Sequence, residues 1–123
     1  MANGLSILVV DDEEKICNIL DIFFSRVGHI VKAVGNGAEA IELARRENFD
    51  LVICDLNMPD VTGYDVITAL NELDKVPKIG ISTGSFDKYS SAEINTLKVD
   101  FIINKPYKLL ELANKINVLF DDE

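Results

Sequence analysis

The sequence predicts an α/β domain in which five parallel strands alternate with five helices. Five short runs rich in β-branched and apolar residues are separated by segments whose apolar residues recur at helical spacing. The run at residues 51–55 is apolar on both faces, which is typical of a strand covered by helices on both sides. Because crossovers between parallel strands are right-handed, a three-layer, doubly wound sheet follows.

The strands are assigned first, from apolar runs bounded by turn residues. They are predicted at residues 5–10, 29–34, 51–55, 78–83 and 100–104. The run at 29–34 is part polar and suits a sheet edge, and Gly80 should weaken the fourth strand. Helices on both faces require the chain to reverse direction within the sheet, and the strand order 2-1-3-4-5 does this.

The helices follow from periodicity and from capping residues. The first begins in an acidic turn and carries an apolar stripe made of Ile16, Ile19, Leu20, Phe23 and Val27. Ile22 and Phe24 widen this stripe, which we interpret as a broad core face, with extra contact surface as the alternative. Asn36 and Glu39 resemble a capping box before the second helix, and a turn at residues 60–63 leads into the third. The fourth, at 87–97, is the poorest helix former and is expected to be the most mobile element. The last runs from residue 108 to about 120.

Composition limits the classes of protein that fit. A chain of 123 residues suits one domain, predicted to span residues 1–123. The net charge of −9 argues against a direct nucleic-acid surface. Cys17 and Cys54 lie in apolar surroundings without metal-ligand spacing, so we expect two buried free thiols. Neither a secretion signal nor a stretch long enough to insert into a membrane is present, so a cytoplasmic location is expected.

Polar residues follow four of the predicted strands. In the order 2-1-3-4-5, the carboxyl ends of the strands bring five side chains to one edge: Asp11, Asp12, Asp55, Thr83 and Lys105. Three adjacent carboxylates repel one another unless a cation lies among them, and a hard ion such as Mg²⁺ or Mn²⁺ fits. With a lysine and a hydroxyl nearby, the set suits transfer of a phosphoryl group onto a carboxylate. Five unrelated strand-end residues are the alternative, and each residue alone would carry little weight.

Four motifs carry a family resemblance over essentially the whole chain. They are Val9 to Glu13 (VVDDE), Asp55 to Pro59 (DLNMP) with Gly63, Ser82 to Gly84 (STG), and Lys105 to Tyr107 (KPY). Together they resemble the receiver domain of response regulators, the CheY-like family, whose fold is the flavodoxin-like sheet predicted above.

The resemblance implies a role for each matching residue. Asp55 would be the phospho-acceptor, attacking a phosphohistidine on a sensor histidine kinase or a phosphotransfer protein. Mg²⁺ would be held by Asp11, Asp12 and Asp55 and by the backbone carbonyl of Asn57. Lys105 would contact the phosphoryl oxygens, and Thr83 would move toward them, drawing the helix at 87–97 with it.

Further positions are implied to shape loops or to set the lifetime of the phosphoryl group. Met58, Pro59, Gly63, Gly84 and Pro106 would shape the loops, with a cis peptide bond before Pro106. Asn57 and Ser85 are small and polar at lifetime-tuning positions, which leaves room for an attacking water. At Ile102 the family usually has an aromatic residue, and Phe101 should point to the opposite face.

We therefore expect a stand-alone receiver of a two-component phosphorelay. It would signal through a changed surface to an unidentified downstream protein, as a monomer or a phosphorylation-dependent dimer, without turning over a separate substrate. No DNA-binding or enzymatic output segment is expected after the last helix, although a receiver excised from a longer protein fits equally. Two alternatives stay open: a pseudo-receiver that binds partners without phosphorylation, and an aspartyl phosphatase, disfavoured because Asn57 stands where a second acid would be needed.

Overall fold

The sheet has the predicted architecture. The structure, a computed structural model, describes residues 4–84 and 96–120. Its strands are β1 (Ser6–Val10), β2 (Ile30–Val34), β3 (Leu51–Asp55), β4 (Lys78–Thr83) and β5 (Phe101–Asn104). All neighbours are parallel and the order is β2-β1-β3-β4-β5, so the predicted fold class and strand order are confirmed.

Four helices lie within the described residues. They are α1 (Glu14–Arg26), α2 (Gly37–Arg46), α3 (Gly63–Asn71) and α4 (Leu109–Phe120). The helix predicted at 87–97 lies outside the described residues except for its last two positions. Two cores cover the two faces of the sheet. The core under α2 and α3 includes Leu8, Val52 and Ile81, and the core under α1 and α4 includes Ile7, Ile53 and Ile103.

The predicted broad core face of α1 is only partly correct, because four of its seven residues pack on the core and three do not. The helix buries Cys17, Leu20 and Phe24, which are spaced three and four residues apart and therefore share one side. Ile19, Ile22 and Val27 are 47%, 55% and 49% exposed. These three residues lie outside the part of the helix that packs against the core.

Capping residues explain where two helices begin. The Asn36 side chain accepts a hydrogen bond from the Glu39 backbone N–H at 2.8 Å, as predicted for α2. At α3, Thr62 and Asp65 form a complete capping box, with each side chain bonded to the other residue's backbone N–H. From sequence only a turn is predicted there, although threonine followed three residues later by an acid is a variant of this pattern.

The cysteines are buried and free, as predicted. The Cys17 thiol donates to the Asp11 carbonyl at 3.2 Å, and burial raises the pKa of both thiols. Both therefore behave as small apolar core residues. Within residues 4–84 and 96–120, no helix has the length and apolar character that crossing a bilayer requires.

Candidate functional site

The carboxyl ends of β1 and β3 bring two aspartates side by side. Val10 pairs with Cys54, so Asp11 and Asp55, the next residues along each chain, emerge together. One carboxylate oxygen from each of Asp11, Asp12 and Asp55 lies within 4.8 Å of the other two. Asp11 and Asp55 are only 3% and 5% exposed, whereas Asp12 is open to solvent. The sequence-predicted acidic cluster is therefore assembled at this edge of the sheet.

Lys105 reaches the same cluster from the end of β5. Its Nζ lies 2.9 Å from Asp11 Oδ2, 3.3 Å from Asp55 Oδ2 and 3.1 Å from Glu13 Oε1. These three contacts use all three N–H donors of the ammonium group. The lysine that the sequence placed at this edge thus joins the acids directly.

Burial and the charge of Lys105 shift the pKa values of Asp11 and Asp55 in opposite directions. Burial raises the pKa of Asp55 to about 6, against the attraction of Lys105, and the nearby charge of Asp11 adds to the rise. The pKa of Asp11 is also raised, again chiefly by burial. Burial alone would lower the pKa of Lys105, but its contacts with Asp11, Asp55 and Glu13 raise it above the ordinary value. The cluster thus places the carboxyl groups of Asp11, Asp12, Asp55 and Glu13 around one ammonium group.

Thr83 and Ser82 end the neighbouring strand. Ser82 pairs with Asp55 across β3 and β4, and Thr83 follows it, 5% exposed. The Thr83 hydroxyl lies 3.5 Å from the Gly84 carbonyl, at the limit for a hydrogen bond. Thr83 is thus at the predicted edge of the sheet. Ser85 lies outside the described residues.

The loop after β3 is held against the phospho-acceptor candidate. The Asn57 backbone N–H donates to Asp55 Oδ1 at 3.1 Å, which fixes the carboxylate orientation. The Asn57 side-chain oxygen Oδ1 is buried without a hydrogen-bond partner in the described part of the chain. Met58 packs into the core under α2 and α3, and Pro59 is exposed at the surface.

Two of the predicted loop-shaping residues have a structural reason. A Cβ at Gly63 would lie 2.3 Å from the Asp55 carbonyl oxygen and 2.6 Å from Leu56 Cα, so α3 can begin this close to β3 only with glycine. The Lys105–Pro106 bond is cis, as the resemblance implied. At Gly84 an added Cβ would meet no described atom within 4 Å.

The aromatic ring next to the atypical Ile102 serves a different contact. Phe101 pairs with Gly80, and its ring covers that glycine so closely that a Cβ there would lie 2.1 Å from the ring. Phe101 packs on the core under α1 and α4. Ile102, 37% exposed, points to the other face as predicted from strand alternation.

Sequence reasoning gave no role to Glu13, the third acid of the first motif. Its contact with Lys105 joins residues 92 positions apart in the chain. The available signal was an acid directly after two candidate metal ligands. Spacing alone does not separate such an acid from a charge in the first turn of a helix.

The donor set fits a hard divalent cation. Carboxylate oxygens at this mutual distance are the ligands that such ions prefer, and their grouping around a single ammonium favours binding of a cation. The same edge offers a buried carboxylate oriented by a backbone N–H and contacted by an ammonium group. This arrangement suits a carboxylate nucleophile beside bound positive charge.

A parallel 2-1-3-4-5 sheet with this acid–lysine cluster defines a signalling receiver of two-component systems. The chain matches the family model of the response regulator receiver domain over residues 7–117 and belongs to that family. The response regulator SaeR of Staphylococcus aureus is 33% identical over 115 residues, 92% of this chain and 49% of the relative. The chain thus spans about half the length of this curated relative.

Solved structures agree on the fold. The chemotaxis response regulator CheY4 of Vibrio cholerae superposes with a TM-score of 0.86 at 23% identity, covering 96% of this chain and all of that one. The receiver domain of sensor histidine kinase PA1611 from Pseudomonas aeruginosa, solved with magnesium in its active-site cleft, gives 0.83 at 21% identity, covering 94% and 96%. At these identities the likeness is one of fold.

Proposed function

We propose that this chain accepts a phosphoryl group on Asp55 and signals by a resulting change of its surface. The observation that supports this best is the position of the Asp55 carboxylate, in one cluster with Asp11 and Asp12 and 3.3 Å from the Lys105 ammonium. A buried carboxylate that is oriented by a backbone N–H and lies beside a positive charge is suited to attack an electrophilic phosphorus.

The phosphoryl donor is a phosphohistidine on a sensor histidine kinase or a phosphotransfer protein. A carboxylate oxygen of Asp55 forms the new O–P bond while the P–N bond of the donor breaks. The released imidazole keeps the electron pair and takes up a proton from water. With a pKa near 6, Asp55 is mostly ionised at neutral pH and can act as the nucleophile. Lys105 stabilises the charge that develops on the phosphoryl oxygens.

A divalent cation, Mg²⁺ or Mn²⁺, completes the site. Asp11, Asp12 and Asp55 would hold it with the Asn57 backbone carbonyl, since these are oxygen donors at one edge of the sheet. When bound, the ion offsets the negative charge that accumulates during phosphoryl transfer. The magnesium ion in the active-site cleft of the Pseudomonas aeruginosa PA1611 receiver domain supports this choice of ion.

The output is a protein contact, not turnover of a separate substrate. Thr83 hydrogen-bonds the phosphoryl group and carries the change into the segment that follows it. Ile102 supplies bulk without an aromatic ring at the partner position. Asn57 and Ser85 are small, polar residues at the positions that tune the phosphoryl lifetime, which is compatible with removal of the phosphoryl group by water. The downstream protein binds this changed face, with or without dimerisation of the receiver.

Acetyl phosphate with Mg²⁺ tests the proposal without a kinase. We expect the intact mass of the wild type to rise by one phosphoryl group, and a chelator to prevent the increase. Asp55→Asn should stay folded, because the side chains are nearly isosteric, and should take no label. A wild type that stays unlabelled while binding partners normally would establish a pseudo-receiver, and steady phosphomonoester turnover that Asp55→Asn abolishes would establish a phosphatase.

A further inference from the structure

Lys105 is held by three acids of very different exposure. The side chains of Asp11 and Asp55 are 3% and 6% exposed, and that of Glu13 is 60% exposed. The two buried partners belong to the acidic cluster that fits a divalent cation, and Glu13 stands outside it. The ammonium group is therefore shared between the metal-binding cluster and one acid at its rim.

A cation in the cluster changes the partners available to Lys105. Lys105 and a divalent cation compete for the carboxylates of Asp11 and Asp55, because the two positive charges repel each other at hydrogen-bond distance. Glu13 lies outside the cluster, so its carboxylate stays available to accept from the lysine in either case. The ion pair with Glu13 can therefore keep Lys105 at the edge of the site while Asp11 and Asp55 bind the ion.

The backbone of Glu13 is fixed for this contact. Its N–H donates to Asp11 Oδ1 at 2.9 Å, and its carbonyl accepts from Ile16 and Cys17 at 3.0 and 3.2 Å. Glu13 occupies the N-cap position of α1, yet its side chain makes no capping hydrogen bond. Serine, threonine, aspartate or asparagine would cap the helix better than glutamate. Because the Glu13 side chain does not cap the helix, it is available to contact Lys105.

We propose that Glu13 is a positioning residue, which retains the Lys105 ammonium at the site while Asp11 and Asp55 bind the cation. The inference rests on the proposed function, since retention matters only if Lys105 serves phosphoryl transfer. It predicts that loss of the Glu13 charge weakens the hold on Lys105 chiefly when the cation is bound.

Three variants separate reach from charge. Glu13→Gln keeps the shape and removes the charge. Glu13→Asp keeps the charge but shortens the reach by one methylene. Glu14→Gln is the matched control, because it removes the same charge one residue further on, from a side chain without an ion pair in the described part of the chain. Thermal melts of all three should match the wild type, which confirms folding.

The first readout is the NMR signal of the Lys105 ammonium in Mg²⁺-saturated protein, assigned by its loss in Lys105→Arg. We expect its hydrogen exchange to accelerate about two- to fivefold in Glu13→Gln and Glu13→Asp and to be unchanged in Glu14→Gln. Equal exchange in Glu13→Gln and wild type would overturn the inference. Equal acceleration in Glu14→Gln would also overturn it, by assigning the effect to general charge.

The second readout is labelling by acetyl phosphate at saturating Mg²⁺. Glu13→Gln should be labelled about two- to fivefold more slowly than Glu14→Gln and wild type. If wild type labels normally and Glu13→Gln labels at the same rate, the positioning role is refuted and the proposed function stands. If wild type takes no label at all, the proposed function itself is refuted, whatever the ammonium exchange shows.

Discussion

At the scale of single residues, Asp55 carries a charge that is costly to bury. Its pKa of about 6 lies above the ordinary 3.8, because burial opposes ionisation more strongly than Lys105 favours it. The folded chain thus binds more protons than the unfolded chain between about pH 4 and 6. The contribution of Asp55 to the free energy of unfolding therefore falls as the pH rises through that window. This unfavourable burial of charge is thus located at the carboxylate proposed to react.

The first prediction concerns Asp55→Asn in the presence of a chelator. Removing the buried charge should raise the free energy of unfolding at pH 7.5 by about 1–3 kcal/mol. Most of this gain should be lost by about pH 4 and the rest by about pH 3, where the wild-type carboxyl is mostly protonated in both states. Urea melts of both proteins across this pH range measure the difference. Asp74→Asn, at an exposed acid, is the matched control and should show no such gain. A gain that is independent of pH would contradict the account.

At the scale of elements, β4 and β5 are joined by an unusual side-chain contact. Gly80 has no side chain, and the Phe101 ring of the neighbouring strand occupies that space. An aromatic ring over a glycine in a sheet compensates for the glycine's missing packing. The strand that carries Thr83 is thereby fixed to the strand that leads to Lys105.

A double-mutant cycle tests this contact. Gly80→Ala should destabilise the protein by about 1–3 kcal/mol, because the new Cβ would lie 2.1–2.5 Å from three ring carbons of Phe101. In a Phe101→Leu background the same substitution should cost clearly less, which gives a coupling energy of about 0.5–3 kcal/mol in denaturant melts. Gly35→Ala, whose Cβ would meet only one atom, at 3.9 Å, serves as the control. Strictly additive costs would show that the ring does not respond to the added methyl.

The first helix shows where pattern reasoning fails at this scale. Its apolar residues surround much of the helix, so periodicity could not distinguish the buried strip from the exposed Ile19 and Ile22. The sheet decides which strip is covered, and sequence does not give the helix rotation. In α3, by contrast, the buried Val66, Ile67 and Leu70 are set among polar residues, so periodicity there marks one side of the helix.

At the scale of the whole molecule, the sheet order and the meeting of the acids with Lys105 were predictable. The residues at the strand ends can be read from local sequence patterns. The rule for where a doubly wound sheet reverses direction then gives the strand order and brings these residues together. The Glu13 contact and the Gly80–Phe101 contact were not predictable. The first depends on the rotamers of two long side chains, and the second on the register of two strands that are distant in sequence.

Cation binding should stabilise the fold as a unit. Because the acidic cluster exists only in the folded chain, Mg²⁺ at about 100 times its dissociation constant should add about 2.7 kcal/mol, seen as a Tm increase of several degrees. Asp12→Asn should reduce the shift, since it removes an exposed ligand without disturbing the core. The increase is measured within each variant by calorimetry against a chelator. An unchanged wild-type Tm across millimolar Mg²⁺ would refute the cation site.

The central claim is that Asp55 is the residue that carries the phosphoryl group. The most direct test treats the acetyl phosphate-labelled protein with borohydride, which reduces an aspartyl phosphate to homoserine, and maps the product by peptide mass spectrometry. We predict homoserine at position 55, dependent on Mg²⁺ and absent from unlabelled protein. Homoserine at Asp11, Asp12 or any other acid, with position 55 unmodified, would contradict the account.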